Sequence, residues 1–348
     1  MADLVVLVVA LGLAVLLGFS AQQASLCTVR AVAELLSTRR ALMLVSFVKT
    51  AVWVVVASFV VFALFPDVAR PATGWPVLGV SLMGGFVFGM GAAVNGGCAV
   101  STLTKLGNGR LAMLGNLAGF AFGAAGFVVL AGQGVLGAPV PMEPLAPRAS
   151  QAFLAVSALF ALWGVWEVSR LWRSRAPDRG WRARALADTY RLSTAALLIG
   201  LANGVLYALY GPWVYTSTVK EAADHVVAAA PLPGLALWAL FAAVIAGAAL
   251  SAWQRGSFRI VAGRPGTWAR HAAGGLLMGF GAAATPGGND VLLLHSIPGL
   301  SPHGLPAFLA ILVGIAVPLV AMKRVTGTTM VVDCSGDVCF GETMKRES

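Results

Sequence analysis

The stretch GFVFGMGAAVNGGCAVSTLTKLG, residues 85–107, decides how this chain is built. Its first part closes an apolar span running from about residue 76 to 94. The segment from about 96 to 106 is too short and too polar to cross a bilayer, which takes about 20 apolar residues. Two glycines, Gly96 and Gly97, stand at the break, and Cys98 comes directly after them. Irregular backbone survives at membrane depth only where it is buried in protein or lines a cavity. The stretch therefore predicts a membrane helix and then a re-entrant half-helix with a cysteine at its start.

The composition agrees. Of 348 residues, 58% are hydrophobic and 11% charged, against about 25% charged in an ordinary soluble domain. Mean hydropathy is +0.83. This excludes a secreted, cytosolic or nucleic-acid-binding globule, and the bilayer lipid becomes the chain's surroundings. The net charge of +10 is read as lysine and arginine collected in cytoplasmic loops. The first apolar run, Leu4 to Gly18, lacks a basic leader and is followed by FSAQQ, a poor cleavage site, so it is expected to be retained. Four cysteines are too few and too scattered for a disulfide framework.

Nine spans are expected, at roughly 3–19, 41–65, 76–94, 111–131, 151–171, 192–212, 231–252, 271–285 and 304–322. Four short polar segments lie between them, at 20–37, 96–106, 213–228 and 287–298, each beside Gly or Pro. The predicted class is an all-α integral membrane protein of about nine transmembrane helices plus four re-entrant half-helices. Loop 172–191 carries Arg173, Arg175, Arg179, Arg182 and Arg184 and is placed in the cytoplasm. Counting outward from it puts Arg39, Arg40, Lys105, Arg110, Arg255, Arg259, Arg264, Arg270, Lys323 and Arg324 inside. Only Arg70 and Arg148 fall in loops 66–75 and 132–150, outside. The N-terminus is then outside and the C-terminus cytoplasmic.

The chain also repeats. SLCTVRAVAELL from Ser25 matches YTSTVKEAADHV from Tyr215, pairing Cys27 with Ser217, Arg30 with Lys220 and Glu34 with Asp224. GFVFGMGAAVNGGC from Gly85 matches GLLMGFGAAATPGGN from Gly275 with one extra residue near Pro286, pairing Cys98 with Asn289. The charge count makes the copies face opposite ways. Such inverted halves put a substrate site near the midplane, at broken helices. The expected organisation is a first membrane repeat over 1–150, a linking helix and basic loop over 151–191, a second inverted repeat over 192–325, and a cytoplasmic tail over 326–348.

The repeat marks Cys27, Cys98, Ser217 and Asn289 as small polar residues opening short helices. A helix start offers unpaired N–H groups and a positive dipole end, which suits an anion. Gly96 and Gly97 before Cys98, and Gly287 and Gly288 before Asn289, let a ligand approach the backbone. Thiols are soft, weak donors, so two of them favour a sulfur-containing anion over a hard one such as phosphate. Against this stands the use of a buried cysteine as a small apolar filler. Arg30 and Lys220 would attract the anion, or pair with Glu34 and Asp224 at i,i+4 spacing. Lys49, inside an apolar span, needs a partner or a route to the interface. Asp290 is odd in an anion path; pairing with a cation and binding a coupling proton or cation are both open. Cys334 and Cys339 read as part of a flexible tail, a weak zinc pair or a sulfur-accepting thiol. The histidines show no metal-ligand spacing, no cofactor is expected, and the sequence has no P-loop, GxSxG or HExxH enzyme signature.

QQASLCTVRAVAEL with Cys27 and GFVFGMGAAVNGGCAVSTLTKLGNGRLAMLGNLAG with Cys98 resemble the YeeE/YedE family of sulfur transporters, over nearly all of the chain to about residue 325. The resemblance implies an hourglass-shaped fold of two pseudo-symmetric halves. It implies passage of thiosulfate along successive cysteines, two of which map onto Cys27 and Cys98, and a small TusA-like sulfur carrier in the cytosol. One departure matters: PGGND sets Asn289 where a third thiol would stand. An amide donates to an anion but cannot exchange sulfur. The leading expectation is inner-membrane uptake of thiosulfate. Its rivals are transport of sulfite or a selenium species, and a membrane sulfur relay with persulfidated cysteines.

Overall fold

The computed structural model describes residues 2–65, 73–142, 151–173, 187, 189–335 and 337–346. Arg70, Arg148, Arg175, Arg179, Arg182 and Arg184 lie outside the described residues. In chain order the helices are α1 (Ala2–Ala24), α2 (Thr28–Thr38), α3 (Leu42–Leu64), α4 (Gly79–Asn95), α5 (Ala99–Gly107), α6 (Met113–Gly132) and α7 (Gln151–Arg173). There follow α8 (Leu192–Tyr210), α9 (Tyr215–Ala228), α10 (Leu235–Gln254), α11 (Pro265–Ala284), the one-turn α12 (Asn289–Val291) running into a π turn (Leu292–Ser296), and α13 (Gly304–Thr326).

Among the described residues eight segments are long and apolar enough to cross a membrane. Three of them, Leu4–Thr38, Gly79–Gly107 and Leu192–Ala228, each join a long helix to the short one after it. The span expected near 271–285 falls in α11, which is not among the eight. The chain is an all-α membrane protein with one small β addition.

The breaks follow from local chemistry. Helix α4 ends where Gly96 turns left-handed at φ 68°, a conformation only glycine adopts without penalty. Cys98 then holds extended backbone and starts α5. Cys27 does the same for α2, at φ −155° and ψ 128°.

The helices pack through glycine. A Cβ added at Gly123 would lie 2.0 Å from the carbonyl oxygen of Leu276, and one at Gly279 would lie 1.9 Å from that of Phe120, which locks α6 to α11. Gly314 stands 2.1 Å by the same measure from Phe86 O, and Gly89 2.3 Å from Ile311 O, which locks α4 to α13. Gly18 and Gly247 do this for α1 and α10. In lipid, apolar faces gain nothing by leaving water, so small residues that admit close backbone contact drive association.

Polar groups inside the bundle find partners. Lys49 Nζ reaches Glu167 Oε1 at 2.8 Å and Ser193 Oγ at 2.8 Å, and Arg170 holds the same carboxylate at 2.6 Å. This joins α3, α7 and α8 and supplies the partner that Lys49 needs.

The C-terminal segment corrects two expectations. In place of a flexible tail, β1 (Thr328–Ser335) and β2 (Val338–Arg346) form an antiparallel hairpin. Cys334 and Cys339 face each other in the register and are joined as a disulfide, although the cysteine count pointed to none. A β-branched run, TTMVV, followed by Ser-Gly-Asp in the sequence favours this local closure. Asp337 at the turn caps α8: its carboxylate accepts the Ser193 N–H at 3.1 Å and its carbonyl accepts that of Leu192 at 2.7 Å. Arg40 donates to Cys334 O at 3.0 Å.

Candidate functional site

The helix starts marked in the sequence meet in the interior. Cys27 and Cys98, 3% and 1% exposed, are free thiols and lie close enough to interact. The backbone N–H of Thr28 donates to Cys98 Sγ at 3.4 Å. Each sulfur also faces an N–H of its own helix, that of Arg30 for Cys27 and that of Ser101 for Cys98. Both thiols thus sit among positive helix ends.

The second half of the chain closes on them. Asn289 Nδ2 donates to Thr28 Oγ1 at 2.9 Å, and the Thr216 hydroxyl donates to Asp290 Oδ2 at 2.6 Å. Three further oxygens in this cluster, Asn289 Oδ1, Asp290 Oδ1 and Tyr215 Oη, are buried without a hydrogen-bond partner. Tyr215 Oη lies beside Asp290 without reaching hydrogen-bond geometry. Unpaired polar atoms are costly in an apolar interior, and their concentration here marks a place built to meet something polar.

A cavity lies on either side. One, of about 660 Å³, is lined by Thr216, Ser217, Lys220, Gly287, Gly288 and His295 and extends to Gly132 at the end of α6. The other, of about 330 Å³, is lined by Cys27, Arg30, Ser101, Thr104 and Lys105 and extends to Arg110, just before α6 begins. The 20 residues of α6 span roughly 30 Å at 1.5 Å per residue, so the cavities open at opposite ends of one helix. A separate void of about 10 Å³, lined mostly by apolar side chains, touches Thr102, Tyr215 and Thr216, which is room for about one water at most. Thr216 and Gly288 line the larger cavity and Cys27 the smaller, so the buried cluster of Cys27, Cys98, Thr28 and Asn289 stands between them and forms the pinch.

The two cavities differ in charge. Arg30, Lys105 and Arg110 line the smaller one, and no acidic residue is among its described lining. In the larger one Lys220 shares the wall with Glu221 and Asp224 and is paired with Asp224 at 2.6 Å. Glu34 accepts the N–H groups of Leu42 and Met43, both at 3.0 Å, and so caps α3. Arg30 Nη1 donates to Ser25 O at 3.2 Å.

The glycines before the helix starts are tightly placed. A Cβ at Gly97 would lie 2.2 Å from Ser101 Oγ, and one at Gly288 would lie 2.7 Å from Asp290 Oδ1 and 2.9 Å from Phe88. Gly96 offers its carbonyl to Lys105 Nζ at 2.7 Å. Gly287 has φ 147°, which again suits glycine.

Ser217 departs from its expected position. Helix α9 begins at Tyr215 after an extended Val214, so Ser217 falls in the first turn and not at the helix start. Its hydroxyl accepts the Val214 N–H at 3.1 Å and donates to Val214 O at 2.6 Å. Trp213 Nε1, bonded to Thr218 Oγ1 at 2.8 Å, holds the preceding backbone in place. Ser217 therefore reaches the cavity wall and not the cluster around the thiols. Thr28, Tyr215, Thr216 and Lys105 join the site without having been marked by the repeat. Their signal in the sequence is adjacency: Thr28 follows Cys27, and Tyr215 and Thr216 precede Ser217.

A helical, multi-pass membrane protein with a polar pinch between two cavities is a transport protein by class. The chain belongs to the sulphur transport family, whose model matches residues 7–317. A comparison with curated proteins returns no match. Its cargo is a sulfur compound, as the family defines.

Proposed function

We propose that the chain imports a small sulfur-containing oxyanion, thiosulfate first, across a bacterial inner membrane. The observation that carries this reading is the pair of free thiols at two helix starts, joined through Thr28 to the Asn289 amide, at the pinch between two cavities. A dianion entering the pinch would meet S–H and amide donors and the positive ends of α2 and α5. Binding there would be weak and shared among sites, because a conducting path must also release.

The anion would enter by the larger cavity, past Ser217, Lys220, Gly287 and Gly288. It would cross between Asn289 and Cys98 and leave past Cys27, Gly96, Gly97 and Arg30. Arg30, Lys105 and Arg110 would draw it inward, while Asp224 offsets the charge of Lys220. Asn289 would hold the anion by its amide where a third thiol would exchange sulfur, so the cargo passes intact. A TusA-like carrier would receive it at the cytoplasmic mouth.

In this reading α2, α5, α9 and the Asn289–Ser296 turn are half-helices that return to the side they came from, and the halves are inverted repeats. The glycine contacts support it. Aligning Gly85 with Gly275 pairs Gly84 with Gly274 and Gly91 with Gly281, and the observed approaches are Gly84 to Gly281 and Gly91 to Gly274. Exchanging the halves exchanges one contact for the other, as a two-fold relation requires. The N-terminus would face outward and the hairpin would lie in the cytoplasm.

Uptake of labelled thiosulfate into proteoliposomes tests the reading, with sulfite and selenium oxyanions as competitors. Wild-type protein is expected to accumulate label and Cys98→Ala to lose it. Full uptake by Cys98→Ala would remove the thiols from the mechanism.

A further inference from the structure

The transport path leaves one buried ionisable group without a task. Asp290 is 1% exposed. Thr216 satisfies its Oδ2, and the backbone N–H groups of Asp290 and Val291 face the carboxylate, while Oδ1 has no partner in hydrogen-bond geometry and Asp290 forms no ion pair among the described residues. Facing it are Tyr215 and Thr216 from α9. The thiols of Cys98 and Cys27, from the starts of α5 and α2, belong to the same cluster. His295 lies on its own turn, bonded to Trp213 O at 3.1 Å. The titratable neighbours are thus a phenol, two thiols and an imidazole, and none of them is a fixed cation.

A bare carboxylate at this point would repel the anion the pinch is built to pass. A proton on Oδ1 removes that charge. It also turns Oδ1 into a donor next to Tyr215 Oη, which itself lacks a partner. The site is reachable, since Thr216 and Gly288 both line the larger cavity.

Resting on the transport reading, we propose that Asp290 is a proton-carrying site, so that the anion crosses together with H⁺. The carboxylate takes one proton from the larger cavity, stays neutral while the anion passes, and gives the proton up towards the smaller cavity. No electrons move and no covalent bond to the cargo forms.

The test uses the whole protein in proteoliposomes holding a trapped pH-sensitive dye, with labelled thiosulfate added outside. Wild type is expected to acidify the lumen as label enters, faster with an acidic exterior. Asp290→Asn keeps the shape and the Thr216 contact but cannot titrate. It should still exchange labelled for unlabelled thiosulfate while losing both the lumenal acidification and the response to a pH gradient. Asp290→Glu should keep acidification with a displaced pH profile. Thiosulfate entry without acidification in wild type, or acidification that persists in Asp290→Asn, overturns the proposal and leaves the transport reading standing. No thiosulfate entry at all fails the reading beneath it and the proposal with it. Should Asp290→Asn not fold, an unchanged pH profile in Asp290→Glu overturns the proposal.

Discussion

Asn289 Nδ2 donates to Thr28 Oγ1 across 2.9 Å, joining residues 261 positions apart in the chain. Through the Thr28 N–H the contact continues to Cys98 Sγ. One threonine thus ties the glycine-rich turn of the second half to both cysteine helices of the first.

Thr28→Val keeps the shape and removes the acceptor, leaving a buried amide unpaired. The expected loss is about 1–3 kcal/mol, read as a lower unfolding midpoint in detergent. Thiosulfate uptake should fall as well, because the amide is no longer aimed at the path. A midpoint equal to wild type would mean the amide finds another partner.

Glycine substitutions on one helix should separate sharply. Gly123→Ala places a methyl 2.0 Å from Leu276 O and must push α6 away from α11, whereas Gly126 has nothing within 4 Å of an added Cβ. We expect Gly123→Ala to reduce folded yield strongly and Gly126→Ala to match wild type. Size-exclusion profiles of the two variants make the comparison.

The buried ion-pair network should respond unequally to its two deletions. Glu167→Ala leaves Lys49 with only Ser193 Oγ and no counter-charge, at a cost of up to about 3–5 kcal/mol. Lys49→Met leaves Glu167 still held by Arg170 at 2.6 Å, so its effect should be much smaller. Thermal unfolding of both variants in the same detergent checks the order.

Asp337→Ala removes the side-chain cap on α8 that Ser193 N–H and Oγ share. The expected cost is about 1 kcal/mol, typical of a lost helix cap. The hairpin should also loosen, and reduction of Cys334–Cys339 should add to this. Limited proteolysis, followed by mass spectrometry of the C-terminal fragments, should show faster cleavage within 328–346 in the variant and under reductant.

Hydropathy and glycine placement made the class legible in the sequence, because whether a segment can live in lipid depends on its own residues. The same local logic located the breaks at Gly96 and Gly287 and the cysteines at the starts of α2 and α5. It could not tell that Ser217 would fall inside a turn set by Trp213, since that depends on one hydrogen bond to Thr218. It could not name Glu167 as the partner of Lys49, or show the tail as a hairpin packed on α2 and α13 whose turn caps α8. It could not foresee the pinch itself. Bringing Thr28, Cys98, Thr216 and Asn289 within a few ångströms requires several pairs of helices to approach at backbone contact simultaneously. Each approach depends on which glycine faces which carbonyl across the bundle, a relation between distant segments that only the folded chain fixes.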